Sequence, residues 1–109
     1  MAKVYENDKK FLILEIDDKE ATKLNFGVPI TNESNMCICG SCNNVCPDSK
    51  IYYIACINET LCKDCVDDYI KNMTHYKDKD SITYELKHFS HYANLLGLNV
   101  NGVDILNAK

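Results

Sequence analysis

The chain has 109 residues, of which 46% are hydrophobic and 26% charged, and its 12 lysines, 16 acidic residues and lack of arginine give a formal net charge of −4. This composition excludes a disordered or collagen-like chain, and the length excludes two independent hydrophobic cores. No apolar run approaches the roughly 20 residues of a membrane span, and the first residues lack the apolar core of a signal peptide, so we expect a cytoplasmic protein.

The absence of arginine also bears on nucleic acids. Arginine supplies most bidentate contacts to guanine and to phosphate, and lysine replaces it only as a point charge. An acidic chain without arginine is therefore expected not to bind nucleic acid directly.

The N-terminal region is predicted to form a β-hairpin followed by a short helix. Residues 3–5 and 11–16 are rich in apolar and β-branched side chains on either side of a polar turn, which is typical of paired strands. Asp17 or Asp18 can cap a helix over residues 19–25.

Seven cysteines fall within a 29-residue window: Cys37, Cys39, Cys42, Cys46, Cys56, Cys62 and Cys65. An odd count without a signal peptide argues against a secreted disulfide framework. Two C-x-x-C pairs, Cys39 with Cys42 and Cys62 with Cys65, are separated by 19 residues, a spacing typical of a four-thiolate zinc site.

The C-x-x-C spacing suits zinc because a tight turn lets both sulfurs converge on one cation at Zn–S distances of about 2.3 Å. The sequence therefore predicts a zinc site formed by Cys39, Cys42, Cys62 and Cys65. Buried unligated thiols and a redox C-x-x-C are the alternatives, and Cys37 in place of Cys39 is another pairing that the sequence leaves open.

The segment between the two pairs is predicted to be a strand over residues 51–57 and a turn over 58–60. The second pair opens a helix over residues 66–73, in which apolar residues recur at i, i+3, i+4 and i+7. The order of knuckle, hairpin and helix over residues 37–75 resembles the treble-clef zinc finger. That resemblance implies a fold and a metal, but no particular partner.

A second long helix is predicted to begin near Ser81, with Glu85 in range for a capping interaction, and to end at Gly97. Residues 98–106 support two interpretations. The Asn101-Gly102 pair favours a type I′ hairpin, which is the preferred prediction. The alternative is a helix-turn-helix, whose reading helix would contain no basic residue before Lys109.

Four further side chains could form a second zinc site: Cys37, Cys46, His88 and His91. The two histidines occur at i and i+3 on the second helix, and the alternative is that they are ordinary surface residues. Cys56 is predicted to pack in the core on a strand face, and His75 to lie at a helix C-terminus as a dipole partner or a substitute ligand.

These elements predict a small α+β domain over residues 1–109, with short β-hairpins and two main helices around a treble-clef-like structural zinc site. Its parts are an N-terminal hairpin and short helix over 1–36, a zinc-binding module over 37–75, and a C-terminal helix and hairpin over 81–109.

Catalysis has little support in the sequence. A four-thiolate zinc site is closed, and neither H-E-x-x-H nor H-x-E with a C-x-x-C pair occurs, so we expect no enzyme activity. Metal loading would make the chain more acidic. Asp64, Asp67 and Asp68 lie beside the second ligand pair. They could form an ordinary solvated helix face, and the more specific expectation is that they dock on a basic surface of a protein partner.

In size, charge and composition the whole chain resembles small phage-encoded anti-CRISPR proteins. The resemblance implies an inhibitor, acting in the host cytoplasm, that binds a CRISPR effector nuclease and blocks nucleic-acid binding or cleavage. The alternatives are a zinc-dependent DNA-binding transcriptional regulator that uses a C-terminal helix-turn-helix, and a purely structural zinc module of a larger assembly.

Overall fold

A four-stranded antiparallel sheet and four helices make up the fold in a computed structural model that describes residues 2–30, 35–46, 50–75 and 78–107. The elements are β1 (Lys3–Val4), β2 (Ile13–Asp17), α1 (Asp18–Lys23), β3 (Val28–Pro29), β4 (Asn35–Met36), β5 (Lys50–Ile54), β6 (Glu59–Leu61), α2 (Lys63–Asn72), α3 (Lys79–Leu95) and α4 (Gly102–Asn107). The predicted small α+β domain with short hairpins and two main helices is confirmed. No helix in these described ranges is long and apolar enough to cross a bilayer.

The sheet has the strand order β1-β2-β5-β6, and β3 pairs separately with β4. The N-terminal hairpin is confirmed, with Lys3 opposite Glu15. Strand β2 lies in the centre, pairing Leu14 with Tyr53 of β5, and its residues are almost wholly buried. Helices pack against this central pair, so the β-branched and aromatic residues of β2 and β5 form the core.

Helix α1 begins where the sequence predicted, and Asp17 is its N-cap. The Asp17 side chain accepts the backbone N–H of Glu20, and the Glu20 side chain accepts the N–H of Asp17 in return. The helix ends at Lys23, two residues earlier than predicted, because Asn25 adopts a left-handed φ of 60°.

The turn between β5 and β6 differs from the prediction. It occupies residues 55–58, and residues 59 and 60 belong to β6. Asn58 takes a φ of 52°, and its side-chain oxygen accepts the hydroxyl of Tyr53 at 2.6 Å. A left-handed residue with a local hydrogen bond closes the turn early, so the predicted strand over 51–57 ends at Ile54.

Helix α3 starts before Ser81 because Asp78, not Glu85, is its cap: the Asp78 carboxylate accepts the N–H of Ser81 at 2.9 Å. The last residue of the helix is Leu95, and Gly97, with a φ of 74°, terminates it as predicted. Leu98 then donates its N–H to the carbonyl of Ala93.

The predicted C-terminal hairpin is wrong, because residues 102–107 form α4. A type I′ turn requires positive φ at both central residues, and neither Asn101 nor Gly102 has one. Instead the Asn101 side chain caps the helix by accepting the N–H of Val103 at 2.9 Å. Gly102 is buried so closely against Leu12 and Leu86 that a Cβ would lie about 3 Å from their methyl groups.

Candidate metal centre

The first C-x-x-C pair lies on a tight loop that follows β4. An isolated bridge joins Ile38 to Val45, and Cys39 donates its N–H to the carbonyl of Asn44 at 3.0 Å. The loop docks on the sheet edge through Gly40, whose N–H binds the carbonyl of Thr60 at 2.7 Å. This contact brings the first pair alongside the strand that leads into the second pair.

The second pair lies at the start of α2. Cys62 is the N-cap residue and Cys65 is in the first turn, so both cysteines lie at the end of the helix where backbone N–H groups have no partner within the helix. A thiolate there is favoured by the helix dipole. The knuckle, the β5–β6 hairpin and α2 follow one another in the order that the sequence predicted.

The four sulfurs converge. The Sγ atoms of Cys39, Cys42, Cys62 and Cys65 all lie within 4.8 Å of one another. The Sγ atoms of Cys42 and Cys62 are 3.9 Å apart. A tetrahedral zinc site with Zn–S bonds of about 2.3 Å has sulfur–sulfur edges of about 3.8 Å, so the cluster fits one ion of this size and softness. It forms one candidate metal site, with a donor set consistent with zinc.

Backbone hydrogen bonds distribute charge unequally over these sulfurs. Burial raises the pKa of Cys39, but N–H groups of Cys42, Cys62 and Ser41 outweigh it and lower that pKa to about 6. The hydrogen bond with Cys62, together with burial, raises the pKa of Cys65 to about 12. Burial also raises the pKa of Cys62. Of Cys39, Cys62 and Cys65, Cys39 is therefore the one whose pKa is lowered.

The four residues predicted as a second site are not brought together. Cys37 and Cys46 are neighbours, each 3% exposed, and Cys46 donates its N–H to the carbonyl of Cys37. On α3, His88 contacts the carbonyl of Tyr84, and His91 is exposed. Within the described residues, the one group of three or more convergent ligand atoms is the four-cysteine cluster.

Cys56 packs against the hydrophobic core as predicted, although not on a strand, and His75 differs from both of its predicted roles. Cys56 lies in the turn after β5, half-buried, with its sulfur 3.4 Å from the hydroxyl of Tyr69. His75 binds the buried carboxylate of Glu85 at 2.7 Å instead of a metal or the end of a helix. Sequence reasoning missed Glu85 as a buried residue, although its spacing from Ile82 and Phe89 places it on the apolar face of α3.

The three acidic residues on α2 have different surroundings. Asp67 accepts the hydroxyl of Tyr5 at 2.6 Å and the ammonium of Lys63 at 2.9 Å. The hydrogen bond from Tyr5, followed by that from Lys63, lowers the pKa of Asp67. Asp64 and Asp68 are exposed. Asp67 thus holds local structure, and the other two carboxylates face solvent.

Comparisons with protein-family models, with curated proteins and with solved structures found no match for this chain. They give no support to the resemblance to anti-CRISPR proteins. The case for a function therefore rests on the geometry of the site.

Proposed function

We propose that the chain is a non-enzymatic interaction protein in which Cys39, Cys42, Cys62 and Cys65 hold one structural zinc ion. The observation that carries this proposal is the convergence of four sulfurs to within 4.8 Å of one another, with those of Cys42 and Cys62 3.9 Å apart. Four protein ligands complete the usual shell of a structural zinc and leave no position for a reactive water.

Zinc at this site would tie three short elements together. Strand β5 of the hairpin is already buried in the core, so zinc would attach the knuckle loop and the first turn of α2 to it. Because an unfolded chain has no preformed site, the free energy of zinc binding would add directly to the stability of this region. Zinc would therefore have a structural role, and the protein surface around the site would bind the partner.

That surface is acidic. Four thiolates and one Zn²⁺ change the formal charge of the chain from −4 to −6. Asp64 and Asp68 add exposed carboxylates on α2 beside the second ligand pair. We infer a protein partner with a basic surface, since complementary charge speeds association and selects partners.

A CRISPR effector nuclease is the more specific partner that the resemblance implied, and its basic nucleic-acid channel has the required charge. Only the size, charge and composition of the chain support this partner. The broader proposal of a basic protein surface does not depend on it.

The helix-turn-helix alternative gains one observation, because α4 is a helix that follows the turn at Gly97. However, the one charged residue within α4 is Asp104, and an acidic reading helix is poorly suited to the phosphates that flank the major groove. We therefore expect no useful affinity for duplex DNA.

A direct test uses zinc-loaded protein in two assays. Immobilised protein should retain a host protein that elutes with added salt, and Asp68→Lys should slow its association, while the matched exposed variant Asp104→Lys should not. In parallel, a short duplex should show no electrophoretic shift at low-micromolar protein and about 150 mM salt. A duplex shift would favour the DNA-binding alternative. If Asp68→Lys and Asp104→Lys changed the association rate equally, α2 would not be part of the proposed interface.

A further inference from the structure

The seven cysteines, all within the described residues, differ sharply in accessibility. Cys42 is exposed, whereas Cys65 and Cys56 are half-buried and the other four are buried. Within the candidate zinc site, Cys39 is fully buried and Cys62 is 7% exposed. A reagent in solution therefore reaches the cluster first at Cys42.

The exposed sulfur of Cys42 also differs from that of Cys39 in its hydrogen bonds with the backbone. Cys39 accepts N–H groups from Ser41 and Cys42, each at 3.4 Å. In the described part of the chain, no backbone N–H donates to the sulfur of Cys42. Hydrogen-bond donors stabilise thiolate charge and reduce nucleophilicity, so Cys42 keeps more of its reactivity than Cys39.

We propose that Cys42 is a modification site, at which disulfides and other soft electrophiles enter the zinc-loaded cluster. This inference rests on the proposed zinc binding. The Cys42 thiolate attacks one sulfur of a low-molecular-weight disulfide, forms a mixed disulfide and expels one thiolate. Cys42 is the accessible nucleophile, and the incoming disulfide is the oxidant.

A second thiolate lies in position to complete the reaction. The Sγ of Cys62 is 3.9 Å from the Sγ of Cys42. Attack by Cys62 on the Cys42 sulfur of the mixed disulfide forms a Cys42–Cys62 bond and expels the second small thiolate. Two protein thiolates are thereby oxidised by two electrons, and one external disulfide is reduced to two thiolates.

The expected consequence is loss of the metal. Formation of the Cys42–Cys62 bond removes two of four ligands, and the two that remain bind zinc far more weakly. Because zinc is proposed to staple residues 37–75, oxidation would loosen the surface that carries Asp64 and Asp68. The site would then couple partner binding to the thiol–disulfide balance of the compartment.

The remaining cysteines provide an internal comparison. Cys37 and Cys46 are each 3% exposed, and burial, together with the charge of neighbouring sulfurs, raises the pKa of Cys46 to about 12. The Cys56 sulfur contacts the hydroxyl of Tyr69, and burial raises its pKa. All three should react later than Cys42.

The experiment begins with the 109-residue chain, shown by native mass spectrometry to hold one zinc ion. Sub-stoichiometric iodoacetamide is added, and peptide mapping identifies the first cysteine alkylated. A second arm uses oxidised glutathione, with released zinc followed by a chromogenic chelator. We expect Cys42 to be alkylated first, and oxidation to produce the Cys42–Cys62 disulfide as zinc appears.

Two matched variants separate reactivity from folding, because histidine can replace one thiolate in a structural zinc site. Cys42→His should slow alkylation of the cluster and zinc release by about tenfold, and Cys56→Ser, at a half-buried cysteine outside the ligand set, should leave both rates close to those of the parent. If either variant loses zinc, the test relies on peptide mapping of the parent protein, which shows whether Cys42 is the first cysteine alkylated.

If a cysteine other than Cys42 were alkylated first, the inference about Cys42 would be wrong, but the proposal that the chain binds zinc would still stand. A chain that holds no zinc would overturn both the proposed function and this inference.

Discussion

The carboxylate of Glu85 accepts the backbone N–H of Leu12 at 3.1 Å, which joins α3 to the segment that leads into β2. Glu85 is 1% exposed, and its other oxygen lies 2.7 Å from Nε2 of His75. A polar side chain this deeply buried is stable in the fold only because both of its oxygens have hydrogen-bond partners. The hydrogen bond between Glu85 and Leu12 therefore holds α3 against the segment that leads into β2.

Glu85→Ala should lower the free energy of unfolding by about 1–3 kcal/mol, because it leaves the buried N–H of Leu12 without an acceptor. Glu85→Gln keeps an acceptor oxygen and should cost less. Urea unfolding of zinc-loaded protein measures both, with the exposed variant Lys87→Ala on the same helix as control. A Glu85→Ala midpoint equal to that of Lys87→Ala would contradict the assigned role.

Gly102→Ala tests the packing of α4. A Cβ at this position would lie 2.9 Å from a methyl of Leu86 and 3.0 Å from one of Leu12. The variant should therefore lose about 1–3 kcal/mol of stability through overpacking, although alanine is the better helix former. Val103→Ala, at an exposed neighbouring position, should change stability little. If Gly102→Ala were the more stable of the two, α4 would not pack as described.

Ligand substitution should separate the metal site from the other cysteines. Cys62→Ser or Cys65→Ser should abolish stoichiometric zinc binding and unfold residues 37–75, since zinc binding contributes directly to folding. Cys56→Ser should retain zinc with a modest loss of stability. Zinc content and amide hydrogen exchange report the two effects. Loss of zinc from Cys56→Ser with retention in Cys39→Ser would show that the ligand set is wrong.

Zinc loading should release protons. The pKa values of Cys62 and Cys65 are raised in the metal-free cluster, and both sulfurs must be thiolates to bind zinc. At pH 7.5 we expect at least two protons released per zinc, so zinc affinity should rise with pH by about two log units per pH unit. Calorimetry in buffers of different ionisation enthalpy counts the protons. Release of less than one proton would mean that the sulfurs are already ionised.

The candidate site could be predicted because its signal is local. Each C-x-x-C pair defines its own turn, and the separation of the pairs matches one hairpin, so Cys39, Cys42, Cys62 and Cys65 were identified without knowledge of the tertiary fold. The N-terminal hairpin and the Asp17 cap were likewise predictable from neighbouring residues.

The features that sequence reasoning missed depend on distant partners. Asn101-Gly102 is a strong turn signal, but Gly102 is placed by contacts with Leu12 and Leu86, which no local pattern shows. Glu85 was taken for a capping residue, and its partners Leu12 and His75 are remote in sequence. The predicted second zinc site likewise required distant residues to meet. Among the described residues, His88 and His91 on α3 form no convergent group of ligand atoms with Cys37 and Cys46.

The most direct test of the proposed metal site is the zinc content of the purified 109-residue chain, measured by elemental analysis and native mass spectrometry without added metal. The geometry predicts one zinc per chain, retained in Cys37→Ser and His88→Ala and lost in Cys39→Ser. A folded protein without zinc, or one with two zinc ions per chain, would contradict the assignment of a single site to Cys39, Cys42, Cys62 and Cys65.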